Sequence, residues 1–231
     1  KKWAKYVSEK TGYNIKRCEG DETEEDIAVL ARTLKNYKTV CFDTETTSTV
    51  ALDAELVGVS FSVKENEAFY VTMPAEREKV LSRLEILREV FENEEIEKVG
   101  QNLKYDITVL GNYGIEVRGK LFDTMIAHYV LQPELFHGMD YLAEIYLNYE
   151  TIKIEELIGE KGRGQKNMRD ITPDKICDYA CEDADVTLKL KNILQKEIEQ
   201  QGACNYKGEK TNERGNSYAC AVSKAIGAQK L

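Results

Sequence analysis

Histidine is nearly missing: the 231 residues hold two, His128 and His137. A Ser-His or Cys-His catalytic machine therefore has few possible members. The six cysteines form no Cys-x-x-Cys pair. The usual zinc sites are not expected, and the thiols read as reduced side chains of a cytoplasmic protein. No apolar run approaches the roughly 20 residues of a membrane-spanning helix, and no apolar segment near the start reads as a signal peptide. A membrane partner is not expected. At 42% hydrophobic and 32% charged residues, the composition excludes collagen, long disorder and a disulfide scaffold. What is plentiful is acid: 41 Asp+Glu face 32 Lys+Arg, a net charge of −9. Taken alone, that balance speaks against nucleic acid as a partner. The charge is also uneven. Residues 1–20 carry six Lys/Arg and two Glu, and residues 202–231 carry five and two, so the acidity belongs to the body between. Any chemistry here is expected to run on carboxylates.

The hydrophobic pattern divides the chain into a basic segment 1–20, a patterned body 21–201 and a polar tail 202–231. The first segment lacks a starting Met and a clean period, and reads as a fragment end or an appended segment. The tail, rich in Gly, Asn and Ser, is expected to be loosely ordered. Within the body, Ile27, Leu30, Ala31 and Leu34 follow Thr23 at helical spacing and predict a helix over 23–36. Segments 39–45, 55–63 and 67–72 read as three strands of an antiparallel meander, the last two joined by Lys64-Glu65-Asn66. Helices are predicted at 76–91, 102–112 and 139–147, with a short strand at 96–99. Phe122–Leu131 is apolar and stops before Pro133. The segment 159–169 places three glycines among Lys and Arg and reads as a flexible basic loop. Thr172-Pro173-Asp174 is a helix start, and that helix can run to about residue 200.

Three arrangements of acids stand out. In Phe42-Asp43-Thr44-Glu45-Thr46, strand alternation points Asp43 and Glu45 to one face. Two such acids repel unless a cation lies between them; a solvated edge strand is the plain alternative. In Gly100-Gln101-Asn102-Leu103-Lys104-Tyr105-Asp106, Asn102 and Asp106 are four apart and share a helix face. Asn102 can equally be an N-cap, with Asp106 a surface acid. In Tyr179-Ala180-Cys181-Glu182-Asp183, Tyr179 and Asp183 fall within the apolar stripe of the last helix. An unpartnered acid there is costly, so Asp183 needs a cation or a hydrogen-bonding partner. Glu182 and Asp185 fall off the stripe and are expected to be solvated.

Taken in order, these three motifs resemble the DEDDy family of 3′→5′ exonucleases. The segments FDTET, ELVGVSF, VGQNLKYD, NYGIEVRGKLFDTM, MDYLAEIYL and YACEDADVTL look like the proofreading exonuclease domain of bacterial family A DNA polymerases, the DNA polymerase I type. The likeness covers roughly residues 22–200. It implies an RNase H-like α/β fold, a mixed sheet flanked by helices. It also implies two divalent ions, Mg²⁺ or Mn²⁺, which suit all-oxygen ligands. Carried over, Asp43, Glu45 and Asp183 hold the first ion, Asp43 bridges to the second, and Asp106 supports that second ion. Tyr179 orients the attacking water. The implied reaction is two-metal hydrolysis of single-stranded DNA 3′ ends to deoxynucleoside 5′-monophosphates.

Thr44, Asn102 and Tyr105 are the candidate substrate contacts beside these acids. Relatives commonly carry a Leu wedge where this chain has Thr49; Val50 and Leu52 are candidates to replace it. Lys161 and Arg163 of the basic loop can bind backbone phosphates, or belong to a mobile solvated loop. No thumb, palm or fingers follow residue 201, so an isolated proofreading domain, truncated product or fragment without polymerase activity is expected, with a polymerase module on another chain as a candidate partner. A ribonuclease D-like RNA exonuclease and a non-catalytic nucleic-acid-binding module of the same fold are the rival readings. Bound ions reverse the local charge at the site, so the net −9 is compatible with a weak, metal-dependent grip on DNA.

Overall fold

The computed structural model describes residues 22–206. Thr23 opens the first helix, α1 (Glu24–Leu34), through a reciprocal capping box: its hydroxyl accepts from the Asp26 amide at 3.2 Å while the Asp26 carboxylate accepts from the Thr23 amide at 2.9 Å. Three strands follow, β1 (Thr39–Thr46), β2 (Leu56–Lys64) and β3 (Glu67–Thr72), paired antiparallel as their tight connections predict. Asn66 adopts φ 64° in the two-residue link between β2 and β3. The chain then forms α2 (Arg77–Phe91) and crosses to β4 (Glu97–Gly100), which pairs parallel with β1. After α3 (Leu103–Gly111) comes β5 (Leu121–Asp123), parallel to β4. The result is a five-stranded mixed sheet in the order β3-β2-β1-β4-β5.

The apolar run at 122–131 divides in two. Its first residues complete β5, and only Thr124–Leu131 is helical, as α4. A three-residue strand has too short a period to read from sequence. Helices α5 (Met139–Leu147) and α6 (Ile154–Ile158), a 3₁₀ turn (Met168–Asp170) and the long α7 (Pro173–Tyr206) finish the described chain. Helix α7 runs past the expected limit of about 200. Residues 1–21 and 207–231, including most of the two basic ends, lie outside the described residues. Among the described residues, Cys41, Cys177 and Cys181 are buried and form no disulfide. Among the described residues no helix is long and apolar enough to cross a membrane.

The sheet separates two cores. On one face α1, α2 and α3 cover Val40, Phe42, Leu56, Val59, Phe61 and Val71. Phe42 packs edge-on against Phe91 with ring centroids 5.2 Å apart. Its truncation to Ala would cost about 3–5 kcal/mol. On the other face α4, α5 and α7 cover Cys41, Val99 and Phe122. Helix α7 and the 3₁₀ turn also pack on Val57, Ala68 and Tyr70. The register of β1 against β2 slips between Glu45 and Thr46. Such an irregularity bends the strand at its C-terminal end, next to the acids the sequence singles out.

Candidate active site

Strand alternation puts Cys41, Asp43 and Glu45 on the α7 side of β1, where Cys41 packs in the core shared with α7. Helix α7 brings Asp183 against them. One carboxylate oxygen from each of Asp43, Glu45 and Asp183 lies within 4.8 Å of the others. Glu45 and Asp183 are each 5% exposed, and Asp43 is half-buried at the cleft floor. The Glu45 Oε1 and Asp183 Oδ1 atoms are buried with no hydrogen-bond partner among the described residues. Tyr179, one turn before Asp183, lies half-buried on the same wall.

Asp106 arrives from the opposite layer. It sits in the first turn of α3, is 2% exposed, and does not belong to the three-acid group. Its Oδ1 accepts from the Thr44 amide at 3.1 Å and the Thr44 hydroxyl at 2.6 Å. Thr44 points away from Asp43 and Glu45 because it lies between them on the strand.

Crowding of these acids in low dielectric disfavours their ionised forms. Desolvation pushes Asp43 up to about 7. Burial also raises Glu45, followed by the charges of Asp43 and Asp106. Asp183 is raised by burial, then by Asp43, Glu45 and Glu182. Asp106 is raised by burial and by Asp43, with the Thr44 hydrogen bonds acting against the shift. The Tyr179 hydroxyl is held far above its ordinary range by burial and by the neighbouring negative charges, so it is a hydrogen-bonding group and not a base.

All of these residues open onto one cleft of about 560 Å³, whose lining includes Asp43, Glu45, Asp106, Tyr179 and Asp183 together with Thr44, Thr49, Asn102 and Tyr105. Lys161 and Arg163 are exposed and outside that lining. The Lys166 amide bonds the Ile158 carbonyl at 2.9 Å, which folds the base of the loop inward. Gln165, Lys166 and Asn167 thus face the cleft. Val50 and Leu52, at 54% and 75% exposed, stand outside the lining as well. The apolar wall comes instead from Met125, Met139, Ile154, Ile158 and Met168. Nothing in their local sequence pattern separates these side chains from ordinary helix positions.

Other expectations need correction or refinement. Asn102 does not cap α3 through its side chain; it takes a left-handed conformation, φ 61° and ψ 45°, with its side chain exposed. The capping acceptor is Asp123, which takes the Leu103 amide at 2.8 Å. The Tyr105 hydroxyl is engaged with Thr46 Oγ1 and the Ser48 carbonyl, so it braces the end of β1. Glu182 and Asp185 are not solvated: they are 2% and 0% exposed. Helix α7 is covered on all sides at this level, by the sheet on one side and by the 149–152 segment and the β2–β3 turn on the others.

A sequence profile of the family described as 3'-5' exonuclease matches residues 18–199. The chain belongs to the 3'-5' exonuclease family. It is a nuclease domain of the DNA polymerase I type. The DNA polymerase I of Pseudomonas aeruginosa is 42% identical over 175 residues, which is 72% of this chain and 19% of that protein. That of Borreliella burgdorferi is 34% identical over 182 residues, 77% of this chain and 19% of the relative. The chain therefore spans about one fifth of the curated relatives it matches. The fold is shared with Escherichia coli RNase D, described as an exoribonuclease involved in structured RNA processing, at a TM-score of 0.67, 18% identity and coverage of 94% of this chain and 50% of that one. Brucella melitensis NrnC gives a TM-score of 0.64 with 17% identity and 84% of each chain covered. One NrnC structure is described with bound Mg²⁺.

The carboxylates fit a divalent cation. One oxygen from each of the three acids converges, Glu45 and Asp183 each keep a buried oxygen without a hydrogen-bond partner, and a hard donor set of this kind suits Mg²⁺ or Mn²⁺.

Proposed function

We propose that this domain removes nucleotides from single-stranded DNA 3′ ends by metal-dependent hydrolysis, releasing deoxynucleoside 5′-monophosphates, and that it edits for a polymerase module. The convergence of three acids, two of them with a buried oxygen that lacks a hydrogen-bond partner, carries the reading. Asp43, Glu45 and Asp183 would hold one divalent ion, with Asp43 and Asp106 holding a second. Bound there, the ions would supply Lewis-acid chemistry for a water and for the charge on the phosphate. The chain's own groups do the rest. Tyr179 keeps its proton and orients the water through its hydroxyl. Thr44 fixes the direction of Asp106. The apolar wall of Met125, Met139, Ile154, Ile158 and Met168 offers stacking area to the terminal base, which is tolerant of sequence. Asn102 and Thr49 at the cleft, and the exposed Lys161 and Arg163, are the contacts proposed for the strand behind it. A cytoplasmic setting goes with this reading.

The deciding experiment digests a 5′-labelled single strand with Mg²⁺, using Asp43→Ala as control. A 3′-to-5′ ladder from the parent alone is expected; no ladder at any Mg²⁺ or Mn²⁺ concentration would sink the proposal. The fold shared with RNase D favours one rival, an RNA substrate. Matched DNA and RNA oligonucleotides separate the two, since faster RNA cleavage would overturn the choice of DNA.

A further inference from the structure

Asp123 ends β5 and is 2% exposed, yet it does not reach the cleft. Its Oδ1 accepts from the amides of Met125 at 2.9 Å, Ile126 at 3.2 Å and Asn102 at 3.2 Å, and its Oδ2 accepts from the Leu103 amide at 2.8 Å. These donors belong to the starts of two different helices, α3 and α4. The first amides of a helix have no acceptor within it. Asn102 contributes no side-chain cap of its own. One carboxylate thus satisfies both N-termini, where its negative charge also suits the two helix dipoles.

The placement follows from the sheet. Parallel pairing sets Asp123 beside Gly100, where the chain turns from β4 into α3. That turn is tight: a Cβ on Gly100 would lie 2.4 Å from Leu103 Cδ2. The Thr124 hydroxyl adds a second tie, to the Gly100 carbonyl at 3.2 Å. Asp106 sits three residues beyond Leu103, in the turn that Asp123 clamps. Unlike Asp43, Glu45 and Asp183, it reaches the site from the other helical layer, so its position depends on where α3 begins.

We propose that Asp123 is a positioning residue, whose single carboxylate fixes the first turns of α3 and α4 and so sets where Asp106 stands against the three-acid cluster. The inference rests on the reading of those acids as metal ligands. Loss of a group that holds a ligand in place lowers metal affinity on the scale of about 10–100-fold.

The test is a calorimetric Mn²⁺ titration of the parent, Asp123→Asn and Thr23→Ala, with amide hydrogen exchange on the parent. Thr23→Ala removes a helix cap from α1, far from the cleft, and controls for lost stability alone. Asp123→Asn should bind the second Mn²⁺, the one assigned to Asp43 and Asp106, at least tenfold more weakly, while Thr23→Ala keeps the parent affinity at both sites. The Leu103 and Met125 amides should be protected from exchange in the parent. Parent-like Mn²⁺ binding by Asp123→Asn would overturn the proposal, and so would unprotected exchange at those two amides. If Asp123→Asn does not fold, Asp123→Ser takes its place in the titration, with the same expectation. None of these readouts needs nuclease activity: a parent that digests no DNA would remove the proposed function and leave this question decidable.

Discussion

Two sets of buried acids share helix α7 and meet opposite fates. Asp183 faces the cleft, with a buried oxygen left without a partner. Its neighbours Glu182 and Asp185 face the far side, where other parts of the fold supply donors or a cation. Glu182 accepts from the Tyr149 hydroxyl and from the Ile152 amide at 2.7 Å. Asp185 accepts from the Asn66 amide at 2.6 Å and pairs with Lys189 at 2.6 Å. Burial alone therefore does not mark a functional acid. The distinguishing property is what surrounds the carboxylate: donors from the fold make it a structural pin, and other carboxylates make it a candidate cation ligand.

That contrast can be broken most forcefully at the cluster. Asp43→Ala should lower the rate of 3′-end hydrolysis by at least about 100-fold, the scale expected when one electrostatic stabiliser of the transition state is lost. A single-turnover assay with excess protein measures it, and a drop below tenfold would argue against Asp43 as a ligand. Thr44→Val tests the step outward from the ligands. It deletes the hydroxyl bond to Asp106 and should cost about tenfold in rate or in Mg²⁺ dependence.

Stability should separate the two sets by sign. Glu182→Leu strands the Ile152 amide and should destabilise by about 1–3 kcal/mol in urea unfolding. Asp183→Asn removes a charge that burial and like neighbours disfavour. In EDTA near neutral pH it should raise Tm, by roughly 2–4 °C for each kcal/mol recovered. A fall in Tm for both variants would erase the distinction.

The smallest effect is on the pH slope. Asp43 is pushed up to about 7 in the folded, metal-free protein, against an ordinary value of 3.8. The folded state then holds more protons than the unfolded one across that interval. Its contribution is fully present below the lower value and is lost as pH rises through about 7. Relative to Asp43→Asn, the metal-free parent should lose stability between those limits, and Mg²⁺ should flatten the difference. Thermal unfolding at a series of pH values, with and without Mg²⁺, measures both.

Much of the site was legible from spacing. Asp43 and Glu45 share a face because strands alternate, and Tyr179 and Asp183 share one because helices repeat at three to four residues. Both rules act within a single element. The failures occur where elements meet. Glu182 and Asp185 looked solvated because an amphipathic stripe assumes one open side, and α7 has none at that level. Asn102 looked like a cap because Asn is a good one, but Asp123, twenty residues beyond Leu103, takes that role. The wall of Met125, Met139, Ile154, Ile158 and Met168 collects residues from separate parts of the chain.

By itself, then, the sequence determined most of the element order, the antiparallel start of the sheet and which acids share a face of one element, while family likeness joined those acids into one site. Family likeness extended that to the activity. Only the tertiary structure decided which buried acids lack partners, that Asp106 approaches from the other layer, and how a three-residue strand delivers one carboxylate to two helices. The reason is range. Periodicity encodes the direction of a side chain from its own backbone, whereas its partners come from whichever segment the packed sheet and helices bring within hydrogen-bonding distance.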